Sequence, residues 1–232
     1  MPLGKLLKAA VLAGLLAGAA AAGFHWFFTE PLIDRAVEIE AHAHASPGGS
    51  PEEPVVSRPV QKLGLFAGFL LYGAAWGLLF GLLVHAVGGR YAGLSRGRLG
   101  FVLALLLGWS AALFPMLKYP ANPPGVGEGA TIGYRQELFL GFLALSLAGA
   151  TIALAAERRM RRSGRARAAV VLAYGAYLAA VFFLLPDNPD PVRLAPEFIR
   201  EFRLLSLAGQ LLFWALMGGA FWRLAGSGPQ SS

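Results

Sequence analysis

Six stretches of this sequence are long and apolar enough to cross the roughly 30 Å hydrocarbon core of a bilayer, which takes about 20 helical residues. They cover residues 6–28, 63–87, 99–117, 138–156, 168–185 and 204–222, and Lys8 is the one formal charge among them. Lipid offers no hydrogen bonds, so each backbone N–H and C=O must be bonded within the protein, and such runs fold as α-helices. The expected fold is therefore an all-α integral membrane protein of about six transmembrane helices, formed by residues 1–232 as a single transmembrane domain. Composition agrees: 56% of the chain is hydrophobic and 14% charged, against roughly 25% charged in a soluble domain.

Orientation follows from the basic residues, which gather on the cytoplasmic side of a membrane protein. The N-terminus, residues 88–98, residues 157–167 and the C-terminus together carry a net charge of +11. The alternate loops carry −4, and the two sets make up the +7 of the whole chain. Segregation by alternate loops implies six crossings with both ends inside. The arginine-rich run Arg158–Arg167 reads as this topology signal, with contact to anionic lipid, and not as a nucleic-acid patch. Lys5, Lys8 and the Ala20-Ala21-Ala22 run are also features of a secretory signal. The apolar stretch continues to Phe28, longer than a signal core, so a retained first span is expected; cleavage would leave five.

Small residues mark where helices meet. Gly73, Gly77 and Gly81 recur every fourth residue in the second span, as do Ala10, Gly14, Gly18 and Ala22 in the first. Such smooth faces let helices pack closely within the bundle, or between copies in a homo-oligomer. Residues 145–149 and 205–209 both read LSLAG, a weak sign of a parallel repeat.

The loop at residues 29–62 is where chemistry concentrates. Pro31 suits a first helical turn, and Leu32, Ile33, Ala36, Val37 and Ile39 form an apolar stripe behind it. Glu30, Asp34, Glu38 and His42 are spaced by four, which places them on one helix face, and Glu40 and His44 form a second such pair. A carboxylate and an imidazole one turn apart can grip a divalent cation, and mixed nitrogen and oxygen ligands suit a borderline transition metal such as cobalt or nickel. A solvated amphipathic helix with incidental histidines is the plainer alternative. Residues 46–51 read as a flexible linker.

Two further outside loops are rich in proline. One runs through Pro115, Lys118, Tyr119, Pro120, Asn122 and Pro123; the other includes Pro186 and Asn188. Proline removes a backbone donor and clashes with the preceding turn, so Pro115 and Pro186 are expected to end or kink their helices near the membrane surface. Carbonyls freed this way can line a wet entrance and meet a cation, or the segments can be rigid interfacial turns.

Absences narrow the classes. The chain has no cysteine, which removes thiolate metal sites and disulfides, and His25 and His85 lie near opposite membrane faces, too far apart to share a haem. No phosphate-binding Walker loop, HExxH or GxSxG motif occurs. Neither an enzyme nor a permanently bound cofactor is expected. The spans also lack the intramembrane acids usual in pumps and proton-coupled carriers, so the chain looks underequipped to transport alone.

The chain resembles the CbtA family of probable cobalt transporter subunits. The resemblance rests on Glu30-Pro31-Leu32-Ile33-Asp34, the acidic histidine-containing loop, and Phe114-Pro115 through Lys118-Tyr119-Pro120-Ala121-Asn122-Pro123-Pro124. It continues in Thr131-Ile132-Gly133-Tyr134-Arg135, Leu185-Pro186 and Phe202-Arg203-Leu204-Leu205-Ser206-Leu207. It implies a multi-pass protein of the bacterial cytoplasmic membrane that takes up Co2+ or another divalent transition metal beside a small histidine-rich membrane partner, CbtB. His42 and His44 make a sparser histidine set than is common in that family. The expected function is a membrane subunit of a divalent metal uptake system. The alternative is a non-transporting scaffold or assembly factor.

Overall fold

The structure is a computed structural model that describes residues 1–44, 56–91, 93–160, 163–192 and 194–226. Eight α-helices are present among these residues, and no strand. They are α1 (Leu3–Phe28), α2 (Glu30–His44), α3 (Arg58–Gly88), α4 (Arg96–Gly108), α5 (Phe114–Lys118), α6 (Ile132–Arg159), α7 (Gly164–Leu184) and α8 (Pro196–Ala225). A π-helical segment, Trp109–Leu113, joins α4 to α5. Counted with their short extensions, six helices are long and apolar enough to cross a membrane: Leu3–Phe28, Arg58–Tyr91, Arg96–Lys118, Gly129–Arg159, Gly164–Leu184 and Pro196–Ala225. Five of them contain one of the six apolar runs whole, and Gly164–Leu184 covers the fifth run except Leu185.

The chain forms two compact units, the first comprising Met1–Leu105, Asn122–Gly125 and Ala195–Ser232. Its centre is the antiparallel pair α1–α3, where the two small-residue stripes meet. A Cβ added at Gly14 would strike the carbonyl of Gly73, and one at Gly73 would strike the carbonyl of Gly14. Gly18 likewise lies against the carbonyl of Phe69, and a Cβ at Gly77 would come within 2.6 Å of the Ala10 carbonyl oxygen. Backbone thus rests on backbone, the close approach that substitutes in lipid for a hydrophobic drive.

Against this pair lies α8, through larger side chains. Tyr72 and Phe213 pack at 5.0 Å between ring centroids, Trp76 and Trp214 at 5.0 Å, and Phe80 and Phe221 at 5.0 Å. These pairs advance together along both helices, so α3 and α8 run parallel. The first half of α4 closes the unit, where Gly97 and Gly100 take the rings of Trp222 and Phe221.

The second unit comprises Leu106–Ala121 and Val126–Leu194. Phe114, Phe142 and Val181 form its buried core, with Trp109, Tyr119, Tyr177 and Phe182 packed around them. Both LSLAG segments end on a glycine that receives a ring from another helix of its own unit: Gly149 that of Tyr177, and Gly209, in the first unit, that of His25.

Pro115 does not end its helix. It is buried, and the chain continues helically to Lys118. The π segment is how the helix accommodates it. Phe114 donates to the carbonyl of Trp109, five residues back, and so leaves the carbonyl of Ser110 without its usual partner. The next donor in line would be residue 115, which as proline has no N–H. The Ser146 hydroxyl of α6 supplies the missing bond, donating to Ser110 O at 2.7 Å. A single hydroxyl therefore repairs the backbone defect that the proline creates.

Two substitutions test these contacts. Gly73→Leu forces the α1 and α3 backbones apart and should cost about 3 kcal/mol or more, whereas Leu71→Ala, at a side chain 72% exposed, should change little. Folded yield and unfolding in mixed micelles would measure both. Ser146→Ala leaves a buried carbonyl unmet and should destabilise the second unit by about 1–3 kcal/mol. Adding Pro115→Ala restores an N–H and should recover part of that loss in a double-mutant cycle.

Candidate functional site

The acidic segment after the first span is helical from Glu30 to His44, as its periodicity predicts. Thr29 forms the joint: its N–H donates to the His25 carbonyl at 2.9 Å, and its own carbonyl accepts from Leu32 at 3.0 Å and Ile33 at 3.1 Å. Leu32 and Ala36 are buried, while Ile39, placed on the same apolar stripe by the sequence, is 46% exposed. The inward face is thus narrower than the sequence suggests.

The four residues spaced along the other face divide into two pairs. Glu30 and Asp34 are engaged with the start of α3. Arg58 donates to Glu30 Oε2 at 2.7 Å and to Asp34 Oδ1 at 2.7 Å, and Lys62 donates to Asp34 Oδ2 at 2.6 Å. Two acids one turn apart meet two bases one turn apart, fixing the register between α2 and α3. The Lys62 hydrogen bond holds the Asp34 carboxyl below the ordinary carboxylate range against the opposing effect of burial, with Arg58 adding to it. These carboxylates serve first as a clamp.

Glu38 and His42 form the second pair, and both are exposed. His42 Nδ1 lies 2.7 Å from the backbone carbonyl of Glu38. A carbonyl can only accept, so Nδ1 carries the proton of the neutral ring, and Nε2 presents its lone pair away from the helix. Metal-binding histidines are commonly oriented in this way. His44 ends α2; its side chain, like the linker at 46–51, lies outside the described residues. Among the described residues no group of three or more histidines or acids could hold a metal ion.

The proline-rich residues separate between the two units. In the second unit, Lys118 pairs with Asp187, and the Tyr119 hydroxyl donates to the Pro186 carbonyl at 2.7 Å. Asn188 Oδ1 accepts from the N–H of Asp190 at 3.1 Å. Pro115 is buried in the helix before them, and Pro120 is half-buried. In the first unit, Pro123 is buried and Asn122 Oδ1 accepts from Arg203 at 2.8 Å.

Asp190 is a hub that the motifs do not single out. Its side chain is 3% exposed and lies 3.0 Å from Arg135 Nε. It accepts from the Glu128 N–H at 3.0 Å and the Thr131 hydroxyl at 2.8 Å. Burial pushes this carboxyl up, and the Thr131 hydroxyl, the Glu128 N–H and Arg135 more than reverse it, holding it below the usual range. Arg58, Lys62 and Arg203 are likewise absent from the candidate residues. A signal existed for the first two: bases at i and i+4 opening the second span match acids at i and i+4 closing the first.

Comparison with known protein families matches residues 3–225 to the CbtA family, described as probable cobalt transporter subunit. No curated protein and no solved structure matches the chain. Six helices of spanning length and a family match over nearly the whole sequence lead to one assignment: the chain is a multi-pass membrane protein that belongs to the CbtA family of probable cobalt transporter subunits.

Proposed function

We propose that this protein is the membrane subunit of a divalent metal uptake system of the bacterial cytoplasmic membrane, and that the far end of α2 collects the ion. In this reading both termini and the arginine-rich loop face the cytoplasm, and α2 faces outward. The family description supplies cobalt as the metal, and the ion is cargo, not a resident cofactor. The chain itself performs no catalysis.

One observation carries the collecting role. His42 bonds through Nδ1 to the Glu38 carbonyl, so that Nε2 and the Glu38 carboxylate can meet one ion on the exposed face. Glu40 and His44, spaced by four in the sequence, are a second candidate pair. Glu30 and Asp34 contribute by holding the helix against α3 through Arg58 and Lys62. A set of so few ligands binds weakly, which suits an ion that must be released inward. The word subunit in the family description fits a partner that shares the work, and a small histidine-rich membrane protein would supply the ligands this chain lacks. The proline-rich segment around Asn122, in the same unit as α2, shapes the entrance.

Collector and entrance make different kinetic contributions. Replacing His42 and His44 together with alanine should raise the half-saturating cobalt concentration about tenfold or more and leave maximal uptake nearly intact. Asn122→Leu should lower maximal uptake instead. Measured uptake curves that coincide with the parent for both variants would remove metal handling from these residues and favour a scaffold role.

A further inference from the structure

Arg203 Nε, Gln210 Oε1 and Trp214 Nε1 are buried, and none has a hydrogen-bond partner among the described residues. All three belong to α8. Spacings of seven and four residues bring them within about 40° of arc on one stripe of the helix. Gln210 lies about 10 Å and Trp214 about 16 Å from Arg203 along the axis, so the row runs from the end of the span to its middle. Below it the stripe continues with Met217 and Phe221, which are buried and apolar.

The surroundings are polar on the α3 side as well. The Tyr72 hydroxyl is within hydrogen-bonding reach of Gln210 and Trp76, and the Trp76 ring packs on Trp214 at 5.0 Å. Trp214 is 2% exposed, so lipid cannot relieve its N–H. An indole can only donate, and a Gln oxygen can only accept. One ligand satisfies both when it offers a lone pair to the first and a proton to the second, and water does so. Arg203 stands at the head of the row. Its hydrogen-bond partner among the described residues is the neutral amide of Asn122, and no carboxylate pairs with it there.

We propose that this stripe of α8 is a wet track: water enters the α1–α3–α8 bundle beside Arg203 and reaches Trp214, and the guanidinium at its mouth admits neutral and anionic solutes in preference to cations. The track then parts from the metal's route at Asn122, the entrance residue to which Arg203 is hydrogen-bonded. It brings solvent to mid-membrane without offering a divalent ion a path along α8, because a fixed positive charge with no carboxylate paired to it among the described residues repels the ion there.

The absence of cysteine in the chain permits a direct test. Single cysteines would be placed at Gln210, at Ser206 one turn nearer Arg203, and at Leu211, which is 50% exposed on the outer side of the helix. The proteins would be held in lipid nanodiscs, where reagents reach both faces and orientation does not enter. Methanethiosulfonates of opposite charge, the sulfonatoethyl anion and the trimethylammonioethyl cation, would be applied. Each rate would be divided by that for free cysteine. Thiols react as thiolates, which form only where water reaches, so Gln210→Cys should react faster than Leu211→Cys by about tenfold or more. The anionic reagent should lead at Gln210→Cys, and Arg203→Gln in the same protein should erase that lead. Should Gln210→Cys fail to fold, Ser206→Cys is read by the same criteria. Rates at stripe positions no faster than at Leu211 would overturn the wet track. A rate independent of reagent charge, or a charge preference that survives Arg203→Gln, would overturn the role of the guanidinium.

Discussion

The contact between the α1 and α3 backbones is the constraint on which the first unit depends. Lipid tails are as apolar as leucine, so two apolar helices gain nothing by hiding from them. What remains is close packing, and Gly14 and Gly73 permit it by having no side chain where each meets the other's carbonyl. This contact sets the register of the pair. Register then brings Glu30 and Asp34 opposite Arg58 and Lys62, and the clamp holds α2 with its Glu38–His42 edge exposed. A bulky residue at one glycine would therefore reach the candidate metal-binding edge through two intermediate steps, without touching it.

The second unit meets a different demand, the satisfaction of every backbone group inside hydrocarbon. Pro115 cannot donate, and the π segment moves the deficit onto the single carbonyl of Ser110, which Ser146 covers. Beyond it, Lys118–Asp187, Tyr119–Pro186 and the Asp190 hub tie the loops together. The polar residues of these loops are largely spent on one another.

Much of this is legible in the sequence because membrane helices obey simple rules. Length and hydropathy located six spans, and the spacing of Glu30, Asp34, Glu38 and His42 located α2. Periodicity assigns residues to a face but does not say what lies opposite. Thus Glu30 and Asp34 looked equivalent to Glu38 and His42, although α3 takes the first pair. Pro115 is open to ending or kinking its helix on local patterns, because the rescuing hydroxyl comes from residue 146, a distant contact they do not show. Gln210 sits in an otherwise apolar run, and only burial reveals that it, Trp214 and Arg203 each leave a polar atom unmet among the described residues. The orientation in the membrane rests on charge segregation alone.

The functional account joins a family match that names a metal to a helix edge proposed to collect one. Its central claim is that this chain is needed for metal to enter the cell. The most direct measurement is uptake of radioactive cobalt by cells lacking their own cobalt importers, supplied with this chain, with the proposed small histidine-rich membrane protein, or with both. Saturable uptake well above background should appear when both are present and be lost when this chain alone is omitted. Equal uptake with and without this chain would contradict the claim.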